Sequence, residues 1–164
     1  MDAPRRKHHR WPGFDYRLPG PYHVVICTEG RRKLLAEIAT NSYSLHPAGL
    51  MVEQVWRSGP DRFPTLNQDA FVVMPNHLHL VFWFEPVDLE ASPTIGDVMK
   101  WFKSETTIRY GRGVRAEGWP EYVRHLWHRN YYDHVIRTDR ELDAVREYIE
   151  NNPRVWTDDS LYQP

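Results

Sequence analysis

The sequence predicts an α+β fold, and three observations carry that reading. Strand-like and helix-like stretches are mixed along the chain without the regular βαβ alternation that would demand a parallel sheet. Two stretches rich in β-branched and aromatic residues, 69–73 and 80–84, flank Met74-Pro75-Asn76, a break that suits two strands or one bent strand. The chain has 164 residues, 41% hydrophobic and 26% charged, which suits one soluble domain with one core.

Residues 1–21 read as an arm. Arg5, Arg6, Lys7, His8, His9 and Arg10 form a basic cluster, and the prolines and glycines that follow argue against regular structure. Such an arm either neutralises phosphates or is a solvated tail. Residues 22–28 (YHVVICT) are nearly all apolar, as expected of a central strand. Residues 34–38 and 42–45 suit a hairpin around Thr40-Asn41. Pro47 fits a first helical position, and Leu50, Met51, Val55 and Trp56 mark one face of a helix that Gly59-Pro60 ends.

After the 69–84 strand region, residues 85–93 read as a loop. Thr94 opens a second helix, with Asp97 three residues on as a loose capping box. Its short apolar face carries Ile95, Val98 and Phe102. Lys100 and Lys103 fall on another face near solvent, where they either hold a phosphate chain or are merely solvated. Residues 110–120 (YGRGVRAEGWP) read as a flexible loop carrying Arg112 and Arg115 towards a ligand. Residues 122–137 suit two strands around Arg129-Asn130. His134 shares a face there with Tyr132 and Ile136, either as a group behind a functional site or as a structural histidine. Thr138 and Glu141 form a capping box for a last helix, with Leu142, Val145 and Ile149 as its buried stripe. Tyr148 and Asn152, four apart, lie one above the other at the edge of that stripe, and Pro153 ends the helix. Residues 158–164 are read as a tail.

The stretch from Val73 to Phe82 organises the rest. Side chains alternate along a strand, so His77 and His79 point the same way, with Cα atoms roughly 6.6 Å apart, and Leu78 faces a core on the other side. Two imidazoles at that spacing can converge on one metal ion; two half-exposed histidines on an edge strand is the plain alternative.

Bulk properties narrow the classes. A formal net charge of −1 provides no global field for nucleic acid, so any basic face is local. The single Cys27 excludes an intramolecular disulfide and a Cys-rich zinc site, and it fits a reducing, cytoplasmic compartment. No run approaches the ~18 apolar residues of a membrane span, and the N-terminus lacks a signal-peptide core. Neither a glycine-rich phosphate loop nor a G-x-S-x-G elbow is present.

Taken together, His77-Leu78-His79 and Tyr148-Ile149-Glu150-Asn151-Asn152-Pro153 resemble the motif pair of the single-tyrosine transposases of the His-hydrophobic-His (HUH) superfamily. MPNHLHLVF, WFKSETT, LWHRNYYDHVIR and YIENNPRVW are most similar to REP-associated tyrosine transposases, bacterial relatives that act at repetitive extragenic palindromes. The resemblance runs from about residue 19 to 156. It implies a domain at 22–157 with a central antiparallel sheet flanked by helices, related to ferredoxin-like and RNA-recognition folds. It implies His77, His79 and Asn152 as ligands of Mg²⁺ or Mn²⁺, and Tyr148 as the nucleophile that cleaves single-stranded DNA near a hairpin through a 5′-phosphotyrosine link. It further implies a nucleoid-associated protein, monomeric or homodimeric.

The residue types suit that chemistry. Tyrosine, with a pKa of about 10, is a poor nucleophile at neutral pH, and a cation that polarises the phosphate offsets this. Arg5, Arg6, Lys7, Arg10, Lys100, Lys103, Arg112, Arg115 and Arg129 are the candidate DNA contacts, and His134 is a candidate supporting group behind the metal-binding residues. Two other readings stand beside the enzyme: a hairpin-binding protein that does not cut, and a metal-dependent phosphoesterase in which Tyr148 is structural.

Overall fold

The structure is a computed structural model, and it describes residues 20–85 and 92–164. Six strands, four helices and two short 3-10 segments follow one another as β1 (Tyr22–Cys27), a turn at Glu29–Arg31, β2 (Ala36–Ala39), β3 (Ser42–Leu45), α1 (Pro47–Arg57), α2 (Gly59–Arg62), β4 (Leu66–Val73), β5 (His77–Phe84), α3 (Ile95–Glu117), β6 (Tyr132–Val135), α4 (Asp139–Asn151) and a 3-10 segment at Asn152–Asp158. The main sheet has the order β4-β5-β1-β6, and every pairing in it is antiparallel. β2 and β3 form a separate hairpin. The expected architecture, a central antiparallel sheet flanked by helices, is the one observed.

β5 is the strand with partners on both sides and cover on both faces. Leu78, Leu80, Phe82 and Phe84 point into the larger core with Tyr22, Val24 and Ile26 of β1, Val52, Val55 and Trp56 of α1, and Val98 and Phe102 of α3. Val81, on the opposite side with His77 and His79, packs in a smaller cluster with Ile149 of α4 and Trp156 beyond it. The sheet therefore separates α1 and α3 from α4. Complete burial of Ile149 alone is worth roughly 1.5–3 kcal/mol to the docking of α4. Leu142 and Val145 are only partly buried against the same cluster. Arg146 adds a bridge to Asp69 of β4, Nε to Oδ2 at 3.0 Å. As a half-exposed pair it contributes at most about 1 kcal/mol.

Several local expectations change. Residues 110–120 are not a flexible loop: α3 runs on to Glu117 and ends at Gly118, which sits at φ +68°. Gly113 is in the helix because Trp119 folds back against it; a Cβ there would lie 2.3 Å from the indole. Tyr110 is fully buried and donates to the Pro120 carbonyl at 2.9 Å. Of the two strands expected around Arg129-Asn130, only β6 forms; its predecessor is reduced to an isolated bridge between Thr28 and Trp127.

Thr94 and Asp97 make both halves of a capping box. Thr138 caps α4 through Glu141 N–H, but the Glu141 carboxylate does not reach back to Thr138. It accepts from Arg137 N–H at 2.8 Å and pairs with His134 at 2.6 Å. Residues beyond 157 are packed rather than trailing: Tyr162 sits edge-on against Trp156, ring centres 5.2 Å apart, and Leu161 O accepts from Asn76.

Candidate metal and nucleophile site

The site begins with β5. Residues of odd number from 77 to 81 face α4, so the two imidazoles share that face, and their Nε2 atoms lie 3.0 Å apart. Both rings are nearly inaccessible, His77 at 0% and His79 at 3%.

The hydrogen bonds behind the rings determine which nitrogen can act as a donor atom. Asn76 Nδ2 donates to Arg31 O at 3.2 Å and to Leu161 O at 2.9 Å. The orientation of that amide is thereby settled, and its Oδ1 faces His77 Nδ1 at 2.8 Å. A carbonyl oxygen only accepts, so His77 carries its proton on Nδ1 and exposes a lone pair at Nε2. On His79, Nδ1 lies 3.0 Å from Nε2 of His23, which stacks against it at 5.2 Å between ring centres. For His79 to present its own Nε2 lone pair beside that of His77, its proton must sit on Nδ1, with His23 Nε2 accepting.

Burial keeps all three rings neutral. It pulls His23 down to about 4, helped by His134, and His77 down to about 3, helped by Arg31. His79 is driven well below the ordinary imidazole value by burial first, then by His77 and His23, with Asp159 opposing. Neutral imidazoles are the form that ligates. A 3.0 Å separation of Nε2 atoms matches two cis positions of an octahedron with bonds of about 2.1 Å. The donor set therefore fits a divalent ion.

Tyr148 lies across the same space. Its ring is edge-on to His79, with centres 5.3 Å apart, and 46% of the residue is exposed. It lines a cavity of about 640 Å³ together with His79, Cys27, Arg31, Asn130 and Asp159. Cys27 is no rival nucleophile: burial pushes its thiol up to about 11, so it is protonated at neutral pH. Asn152 follows one turn after Tyr148. It is completely buried, and among the described residues neither Oδ1 nor Nδ2 of its amide has a hydrogen-bond partner. Asp159 approaches from the end of the chain, its Oδ2 3.6 Å from His77 Nε2.

Among the described residues, Arg129 is the candidate DNA contact that lies beside this cavity. Arg5, Arg6, Lys7 and Arg10 lie outside the described residues. Lys100, Arg112 and Arg115 are exposed on α3, the helix covering the other face of the sheet. Lys103 is not a solvent-facing lysine: it is half-buried and donates to the carbonyls of His128 and Arg129 at 2.8 and 3.0 Å. Burial draws its pKa down to about 8. Arg129 is exposed between His128 and Asn130, both at the cavity wall. His134 is bound to Glu141 and pairs across the strands with His23, so it stands one residue removed from the imidazole pair.

Three residues at the site carried no functional assignment from sequence. His23 was within a recognised strand, but its register opposite Val81 is not a local property. Arg31 enters the cavity wall through left-handed backbone at Gly30 and Arg31, φ 64° and 54°. Asp159 lay in the stretch read as a tail.

Comparison with known proteins adds three findings. The family of IS200-like transposases matches residues 20–152. An uncharacterised protein of Haemophilus influenzae Rd is 32% identical over a 174-residue alignment covering 96% of this chain and 93% of the relative. Two solved structures share the fold. One, a REP-associated tyrosine transposase bound to a REP hairpin, superposes with a TM-score of 0.58 at 17% identity, covering 93% of this chain and 73% of the other. The other, a putative transposase of Deinococcus radiodurans, gives 0.55 at 21% identity, covering 85% and 95%.

Proposed function

The chain belongs to the IS200-like transposase family, and from that premise we propose that it cleaves and rejoins single-stranded DNA beside REP-type hairpins, with Tyr148 as nucleophile. The observation that carries this reading is the meeting, on one cavity wall, of an accessible phenol with His79, whose Nε2 converges with that of the buried His77 at 3.0 Å. His77, His79 and Asn152 are the proposed holders of a divalent ion, Mg²⁺ or Mn²⁺. When bound, that ion polarises the phosphate and stabilises its developing charge. The partnerless Asn152 amide supports its inclusion, because a buried carboxamide with no partner is costly unless something else satisfies it.

The chain's own residues then do the following. Tyr148 Oη attacks the phosphorus and loses its proton. The bond from phosphorus to the 3′ oxygen breaks, and that oxygen leaves with a proton as a free 3′-OH. The 5′ phosphate remains esterified to Tyr148. Attack by a second 3′-OH reverses the step and joins new ends, so the energy of the broken bond is retained and no ATP is required. The cavity, about 640 Å³, has room for a nucleotide unit, and Arg31 at its wall supplies positive charge for the phosphate chain. The hairpin as partner rests on the likeness to the hairpin-bound structure. Among the described residues, no helix is long and apolar enough to cross a membrane.

The test mixes the protein with labelled single-stranded hairpins from repeats of its own genome and Mn²⁺, then compares wild type with Tyr148→Phe on denaturing gels. A denaturant-resistant protein–DNA adduct with the wild type alone is expected. Cleavage that persists in Tyr148→Phe would transfer the nucleophile to water, and a gel shift without cleavage in either protein would favour the hairpin-binding reading.

A further inference from the structure

We infer that Asp159 is an additional, anionic ligand of the divalent ion held by His77 and His79. The inference rests on the metal-site reading above and extends it to a residue beyond the tyrosine helix.

The 3-10 segment at Asn152–Asp158 reverses the chain after α4 and ends at Asp159, whose N–H donates to Trp156 O at 3.1 Å. One carboxylate oxygen, Oδ1, accepts from Leu161 N–H at 2.7 Å, which orients the group. The other, Oδ2, points at His77 Nε2 from 3.6 Å. Its side chain is 2% exposed, and among the described residues Oδ2 has no hydrogen-bond donor. Asp159 Oδ2 and one ring nitrogen from each of His77 and His79 all lie within 4.8 Å of one another.

A carboxylate oxygen that is both dry and without a donor is among the least comfortable groups in a protein interior. His77 does not relieve it, because its Nδ1 proton is committed to Asn76 and its Nε2 faces Oδ2 from 3.6 Å, beyond hydrogen-bond reach. A cation between the three atoms would. It would gain a hard oxygen donor, which Mg²⁺ and Mn²⁺ prefer to imidazole. The site would then carry a net charge of +1 rather than +2 before phosphate enters. Because the carboxylate comes from the chain's last residues, ion binding and the docking of that segment would reinforce each other.

The test uses the full-length, DNA-free protein. Mn²⁺ binding is followed by electron paramagnetic resonance for wild type, Asp159→Asn and His77→Ala. Urea unfolding is measured in EDTA in parallel. Asn keeps the oxygen that Leu161 uses and removes the charge. Asp159→Asn is expected to weaken Mn²⁺ binding at least tenfold while unfolding in EDTA at the wild-type urea midpoint or above it; His77→Ala is expected to abolish binding. Unchanged Mn²⁺ affinity in Asp159→Asn, with binding lost in His77→Ala, would overturn the role of Asp159 and leave the histidine site standing. A lowered urea midpoint in EDTA would make Asp159 a structural acceptor and overturn the inference equally. Wild-type binding by His77→Ala would overturn the site itself.

Discussion

His23 Nε2 lies 3.0 Å from His79 Nδ1, so the imidazole that faces His77 is held from behind by a third imidazole on the neighbouring strand. On the proposed metal site, His23 is a positioning residue that needs only a lone pair at the right place. Groups behind a metal-bound histidine are typically worth ~10–100-fold in metal affinity. His23→Phe is expected to lower Mn²⁺ affinity within that range, while His23→Gln, whose amide oxygen can accept the same proton, retains more of it. Isothermal titration of the two variants without DNA distinguishes them; equal affinities would remove the acceptor role.

The neutral histidines make stability depend on pH in a defined direction. Unfolded, each ring titrates near 6.5; folded, His23 titrates at about 4 and His77 at about 3. Between those values the unfolded chain holds protons that the folded chain lacks, so unfolding free energy rises with pH. Stability is complete above roughly pH 6.5 and is lost progressively as pH falls towards 4. In EDTA, urea midpoints are expected to climb from pH 4.5 to 6.5 in the wild type and less steeply in His23→Gln. A flat wild-type profile would show that the rings take up protons as readily in the fold as in the unfolded chain.

Two glycines of α3 are expected to respond oppositely to alanine. At Gly113 a Cβ would meet the Trp119 ring at 2.3 Å, so overpacking, typically 1–3 kcal/mol, outweighs the gain in helix propensity. At Gly111 the nearest atom is the flexible end of Arg115 at 3.4 Å, and Gly111→Ala should stabilise by up to about 1 kcal/mol. Urea unfolding of the pair checks both signs, and a stable Gly113→Ala would show that Trp119 moves away easily.

Lys103 is engaged inside the protein. Its amino group ties down the carbonyls of His128 and Arg129, beside the cavity. Lys103→Met should therefore cost roughly 1–3 kcal/mol of stability. It should leave the salt dependence of hairpin binding unchanged, whereas losing a true phosphate contact would reduce that slope by about one. A reduced slope at full stability would return Lys103 to the DNA interface.

The parts of this molecule that local periodicity governs were legible in its sequence. A period of two put His77 and His79 on one face and Leu78 on the other; a helical period put Ile149 inward and Tyr148 at its edge. What was not legible depends on partners distant in the chain. The glycines at 111 and 113 read as flexibility because nothing local announces that Trp119 returns to pack on Gly113. His23 is coupled to His79 only through strand register. Asp159 arrives through a chain reversal that begins at Pro153, and Lys103 turns inward because the 128–129 carbonyls lie above it. Glu141 does bind backbone at the start of α4, one residue earlier than the capping pattern implies, because His134 draws it there.

The two halves of the site also sit in parts of the molecule that open with different ease. β5 is hydrogen-bonded on both edges and covered on both faces, so freeing its backbone requires separating it from β1 or β4, whereas its two imidazoles are covered by Tyr148 of α4 and by Trp156 beyond it. Its amides should exchange with solvent only through near-global unfolding. α4 is held by a single fully buried side chain, two half-buried ones, the edge of Tyr148 on His79 and two part-exposed ion pairs, Arg146 with Asp69 and Glu141 with His134. It should detach at a fraction of that free energy. The histidines thus sit on the more firmly held of the two elements, and Tyr148 and Asn152 on the less firmly held one.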